Sequence, residues 1–424
     1  MIQEIKIKNF LSFKEETVFS FEATADKTLE DYYVAEQADG TRLLKMAMIY
    51  GANASGKSNL INAFEFLNDF TNSIPEEKRS ETNFIPFMFD DTKNHPGEFE
   101  LIFYANKTRH KYQLIINHNS VINEKLYFYP GTRPAIIFDR YLDVKKNISI
   151  VEFGSKIKIS DQAKEAIELK TLINTSVIAA YNQVNTSIPE LDIVNNWLEY
   201  QFLSSINPYT ELTEYSDSAI KDNPEAKSHT LNFLKEADFN ITDVSFIDKV
   251  QEIPDSILKD IESSTLPVEV KEKIKSEKGL HYDEKMFTHR IINNEKEEHF
   301  ILSERLQSKG TLRYYGLSAP FYHTIKNNAI LLIDEIDSAL HPLLVNHFLK
   351  EFLQKSDQAQ LLFTTHNMSL LNEKDILRKD GIWFTEKLKN GATDLFSLSD
   401  FNFRKELSYF NAYKLGKFGG IPQL

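Results

Sequence analysis

The chain has 424 residues, 42% hydrophobic and 26% charged, a balance that fits roughly two to four globular units of ~100–200 residues each. No run of about 18 uncharged apolar residues occurs and the N-terminus lacks an apolar signal core, so neither a helical membrane span nor a secretory leader is expected. The absence of Cys excludes disulfides, Cys-ligated zinc and thiol nucleophiles and fits a reducing cytoplasm, while a formal charge of −13 confines any nucleic-acid site to a local basic patch.

In chain order, the first 50 residues read as strands. Ile5 and Ile7 alternate with Lys6 and Lys8, Val18, Phe19 and Phe21 follow, and the apolar run 46–50 suits a buried parallel strand. A glycine-bearing loop leads into a helix with Leu60, Ile61, Phe64 and Leu67 on one face. From about 84 to 150 alternating patterns such as Phe99, Leu101, Phe103 and Tyr112, Leu114, Ile116 predict an antiparallel meander. Residues 160–285 are charged and helix-compatible, with no sustained heptad. An α/β pattern resumes at 329, with an apolar strand at 329–333, another in QLLFTTH (360–366) and a third in GIWFTEK. The expected class is α/β: a mixed sheet with a phosphate-loop core plus an antiparallel β lobe, interrupted by a mainly helical insertion. The domain boundaries that follow are 1–158, 159–290 and 291–424.

Residues 51–58, GANASGKS, match the pattern G-x-x-x-x-G-K-[ST] between an apolar strand and an apolar-faced helix. Gly51 and Gly56 let the backbone curl with its N–H groups inward, Lys57 reaches the β/γ-phosphates, and Ser58 offers a hydroxyl to Mg²⁺. The nucleotide-binding set there is Gly51, Asn53, Ala54, Ser55, Gly56, Lys57, Ser58 and Asn59. Further on, Asp334 and Glu335 end the apolar run 329–333, where the carboxyl ends of parallel strands open onto a ligand crevice. Asp334 suits the Mg²⁺ position and Glu335 a general base for the attacking water. His366, one strand later, can donate a hydrogen bond to the γ-phosphate.

On these motifs the chain resembles ATPases of the ABC/SMC superfamily and, more narrowly, the AAA_15/AAA_21-type ATPases of bacterial abortive-infection loci. These include the AbiLi/RloA group and, more distantly, ATPase subunits of the PARIS and Septu systems. NFLSFKEE, SKGTLRYYGL, IDEIDSALHPLL, FTTHN and the tail with Gly419, Gly420, Ile421 and Pro422 carry the resemblance. It implies a Walker A at 51–58, a Walker B at 329–335, a D-loop at 337–342, and His366 as switch histidine. Ser308 and Gly310 stand where a signature motif would complete the ATP site of a second copy. The segment Asn9 to Phe13 is expected over adenine and ribose, although Phe10 and Phe13 also suit a strand core. No clear Q-loop glutamine occurs, and Gln183 is the candidate.

The resemblance therefore implies an ATPase using ATP and Mg²⁺, forming a homodimer around nucleotide and controlling a separate effector, with 160–285 available to dock a partner. The alternatives are an SMC-like repair or chromosome-organising head, which should show long coiled-coil arms, and an ATPase–nuclease of the overcoming-lysogenisation type. The latter needs a Toprim domain, for which the stretch after His366 is short. A nucleotide-binding scaffold without turnover is a further alternative.

Overall fold

The computed structural model describes residues 1–421 apart from 76, 238, 253, 278 and 402–407. Contacts divide the chain into two compact units, Met1–Thr210 with His323–Leu424, and Glu211–Tyr322. Pro422, assigned to the tail motif, lies outside the described residues.

The first unit holds two large sheets. In the five-stranded one the order is Ile330–Ile333, Gln360–Thr364, Met46–Gly51, Ile382–Lys387, Thr393–Ser397, the first four parallel and the last antiparallel. Every residue of Met46–Gly51, Ile330–Ile333 and Gln360–Thr364 is buried, which is why these strands are continuous apolar runs rather than alternations. The edge at Ile330–Ile333 is covered by residues 201–206. Gln201 and Ile206 carbonyls accept from the N–H groups of Ile330 and Asp334 (both 2.7 Å), so the edge is not left open. All the parallel strands end on one side, bringing the 51–58 loop, Asp334 and the 365–367 turn to a common rim.

The seven-stranded sheet is antiparallel throughout. It runs from Ile148–Phe153 through Ala135–Asp143, Val121–Phe128, Thr108–Ile116, Gly97–Ala105 and Ile2–Lys8 to Thr17–Ser20. Its solvent face carries ion pairs such as Lys6–Glu100 (3.1 Å) and Lys125–Asp139 (2.8 Å). The inner face packs on helices Lys57–Asn72 and Pro189–Tyr200, with Phe103 stacked on Trp197 at 4.2 Å. Residues 161–200 thus belong to the first unit, and the second begins at 211 rather than 159 and extends to 322 rather than 290. The apolar stripe Val194, Trp197, Leu198 explains why, since it is consumed by that sheet. The meander also starts at Gly97 rather than near 84, because backbone groups of 84–96 are engaged by Asn9 instead of by a neighbouring strand.

The second unit contains helices Thr213–Asp222, Pro224–Glu236, Asp255–Ser263, Val268–Glu277 and most of Lys309–Asn327. Beside these helices it contains an antiparallel sheet of Ile241–Glu252, Gly279–Asn293 and Lys296–Ser303. Val244 pairs with Phe287 across that sheet and both are buried, a period-two signal obscured by the charged residues around it. Among the described residues no helix is long and apolar enough to cross a membrane.

Candidate functional site

The loop after Met46–Gly51 curls through left-handed backbone at Ala54 (φ +60°) and Gly56 (φ +105°) before helix Lys57–Asn72 begins. It is packed too tightly for larger residues. A Cβ on Gly56 would lie 2.0 Å from Thr393 Oγ1, and one on Gly51 2.3 Å from Thr385 Oγ1. Hydroxyl groups brace it from outside: Ser55 Oγ lies 2.6 Å from Thr385 Oγ1, and the Thr393 hydroxyl bridges Ser12 Oγ (2.7 Å) and the Ser55 carbonyl (2.8 Å). Asn59 Nδ2 donates to the same Ser12 oxygen at 2.7 Å. Lys57 is buried, and its Nζ donates to the carbonyls of Gly51 (2.9 Å) and Ala52 (3.0 Å), leaving one N–H for a ligand. Burial pulls its pKa below the ordinary lysine value, against the attraction of Asp334, Glu335 and Asp337.

Opposite the loop, Thr364 organises the two acids. Its hydroxyl donates to Asp334 Oδ1 (2.6 Å) and accepts from the Glu335 N–H (2.8 Å), holding Glu335 in left-handed backbone at φ +51°. Such a conformation in a non-glycine residue costs energy and is sustained by its surroundings. Asp337 Oδ1 accepts from Thr365 Oγ1 (2.7 Å) and the His366 N–H (3.3 Å), which sets the turn that presents His366. Glu335, His366 and residues 53–59 line one cleft of about 490 Å³, with Asp334 just behind. Its other wall is Leu11, Ser12, Ile85, Pro86, Met88, Phe89, Lys387 and Gly391.

The structure therefore brings together Gly51, Asn53, Ala54, Ser55, Gly56, Lys57, Ser58, Asn59, Asp334, Glu335 and His366 at one rim. Ser308 and Gly310 belong to the second unit, where Ser308 Oγ accepts from the Thr311 N–H (3.0 Å) at the start of helix Lys309–Asn327. Gln183 is exposed on the turn after Val177–Tyr181 and does not line the cleft. Phe10 and Phe13 are buried, Phe10 lying 5.2 Å from the rings of both Phe66 and Phe99, so it is Leu11 and Ser12 of that segment that face the cleft. The bracing hydroxyls of Thr364, Thr385 and Thr393 escaped the sequence reading, and Ser12 entered it only as part of the segment Asn9 to Phe13. The only local signal was the paired Thr364-Thr365 before His366.

Residues 46–372 match the family model described as "AAA domain, putative AbiEii toxin, Type IV TA system". The chain belongs to this family. The matched region opens on the strand that feeds the 51–58 loop and closes just past His366, so it contains that loop, Asp334, Glu335 and His366 but not Ser12 or Thr393. In three dimensions the chain is similar to the SMC head domain from Thermotoga maritima, at 14% identity, 93% of this chain and 98% of that one covered, and a TM-score of 0.42. It is also similar to an SmcHead bound to the C-winged helix domain of ScpA, at 12% identity, 97% and 99% coverage, and a TM-score of 0.43. No curated protein sequence matches the chain.

Proposed function

We propose that the chain binds ATP with Mg²⁺ in this cleft and hydrolyses it. One observation carries the reading. The third N–H of Lys57, the Ser58 hydroxyl, Asp334 Oδ2, the Glu335 carboxylate and the His366 ring all gather at a left-handed loop heading a 16-residue helix, and none has a protein partner among the described residues. Ser58 and Asp334 are hard oxygen donors of the kind Mg²⁺ takes, so the residues present fit the ion. When bound there it supplies charge neutralisation on phosphate oxygens.

The backbone N–H groups of the loop and the positive end of the helix complement the phosphates, and Lys57 adds a fixed positive charge. Glu335 accepts the proton of the attacking water, with Thr364 fixing its backbone. His366, set by Asp337, donates to the terminal phosphate. In a second copy, Ser308 and Gly310 would close the site, giving a nucleotide-dependent homodimer. The resemblance to abortive-infection ATPases, with the toxin–antitoxin description of the family, supports a role in antiphage defence through a separate effector. The test is Glu335→Gln: ATP should remain bound while steady-state hydrolysis falls at least about 100-fold. Hydrolysis at the wild-type rate in this variant would remove Glu335 from its role.

A further inference from the structure

The apolar wall of the cleft is built with more care than a surface patch requires. Ile85, Met88 and Phe89 are 50%, 57% and 69% exposed and stand side by side opposite the phosphate loop. Yet the backbone presenting them is pinned from several directions. Asn9, itself buried and at φ +53°, accepts from the Phe87 N–H (3.0 Å) and donates to the carbonyls of Thr92 (2.9 Å) and His95 (2.8 Å). The Leu11 N–H donates to the Ile85 carbonyl (2.9 Å), and Lys14 pairs with Asp90 at 2.7 Å. Phe87 is fully buried and meets Phe89 edge-on at 5.4 Å. Gly391, at φ +84°, lets the Phe89 ring lie against its backbone, since a Cβ there would come within 2.7 Å of the ring. A buried polar clamp that holds exposed apolar side chains in one place has a ligand-facing purpose, because solvent alone would favour the opposite arrangement.

We propose that the open side of Phe89, flanked by Ile85 and Met88, is the subsite that takes the base of the bound nucleotide by stacking, with preference for a purine. The proposal rests on the phosphate-binding reading of the 51–58 loop. An aromatic ring fixed in advance offers a π-face at little entropic cost, and a purine covers more of it than a pyrimidine does.

The test separates base from phosphate. Dissociation constants for ATP, CTP and inorganic tripolyphosphate, each with Mg²⁺, are measured for the wild type and for Phe89→Ala, Phe89→Trp and Lys57→Ala. Phe89→Ala should weaken ATP roughly tenfold or more, CTP less, and tripolyphosphate by no more than about twofold, while Phe89→Trp keeps ATP near wild type. Unchanged ATP affinity in Phe89→Ala, or equal loss for ATP and tripolyphosphate, would overturn the base subsite while leaving the phosphate site standing. Undiminished ATP binding by Lys57→Ala would overturn the phosphate site, and the base proposal with it.

Discussion

In the five-stranded sheet the three neighbouring strands Ile330–Ile333, Gln360–Thr364 and Met46–Gly51 are buried on both faces, and their polar residues come only where they end. In the seven-stranded sheet burial alternates along strands such as Thr108–Ile116, and ionisable side chains lie within the sheet itself. Glu124 and Arg140 stand opposite each other in register on adjacent strands and are fully buried. Glu124 accepts from Tyr112, Ser176 and the Val177 N–H, while Arg140 Nη2 contacts Ser149 and the carbonyls of Leu172 and Ile173. Burial raises the Glu124 pKa and lowers that of Arg140 to about 10, each opposed by the other's charge. The contrast teaches where this fold keeps its chemistry and where it keeps its stability. Groups beyond strand ends keep hydrogen-bonding capacity at an open cleft, whereas inside the sheet Glu124 spends its own on the protein and Arg140 does so through Nη2, its buried Nε and Nη1 having no hydrogen-bond partner among the described residues.

If that division holds, substitutions at the two sheets should separate cleanly into those that change activity and those that change melting. The largest effect is expected from Lys57→Ala: ATP binding followed by calorimetry should fall at least about 100-fold, with little change in melting temperature, because the lost charge was already poorly solvated. Arg140→Ala should do the reverse. Leaving Glu124 buried without its counter-charge should cost about 3–5 kcal/mol in urea unfolding, while the folded fraction keeps its ATP affinity. Loss of ATP binding in folded Arg140→Ala protein would break the division.

Thr364→Val is a smaller probe at the active rim. Removing the hydroxyl that serves both Asp334 and Glu335 should lower hydrolysis by roughly 10–100-fold, equivalent to about 1–3 kcal/mol, with unfolding nearly unchanged. The smallest effect concerns His110, which is buried, stacks on Phe103 at 5.3 Å, and has its pKa lowered by burial to about 4. It is neutral in the folded state while the unfolded chain takes up a proton below its ordinary value of 6.5, so its contribution is lost as pH falls from 6.5 toward about 4. Over the first pH unit that amounts to about 1 kcal/mol, measured as a decline in unfolding free energy that His110→Phe should flatten.

The sequence by itself determined which residues gather around the 51–58 loop. Gly51, Gly56, Lys57 and Ser58 are contiguous, and Asp334, Glu335 and His366 follow strands whose uninterrupted apolar character comes from burial on both faces. Local spacing therefore carried their meaning. It also determined the α/β class and the antiparallel meander, since periods of two and of continuous burial are written along the chain. For the opposite wall of the cleft the family resemblance pointed only to the segment Asn9 to Phe13, and the tertiary structure alone supplied its companions. Asn9, Phe89, Gly391 and Thr393 are separated by up to hundreds of positions and meet because a turn, a loop and a hairpin converge on one rim, which no periodicity records. The same holds for residues 161–200, whose ordinary amphipathic helices join the first unit solely because Phe103 and its neighbours offer an apolar face to cover. Hydroxyls such as Thr364 and Thr385 were invisible for a related reason: a threonine at a strand end means nothing until its hydrogen-bond partner arrives from another part of the chain.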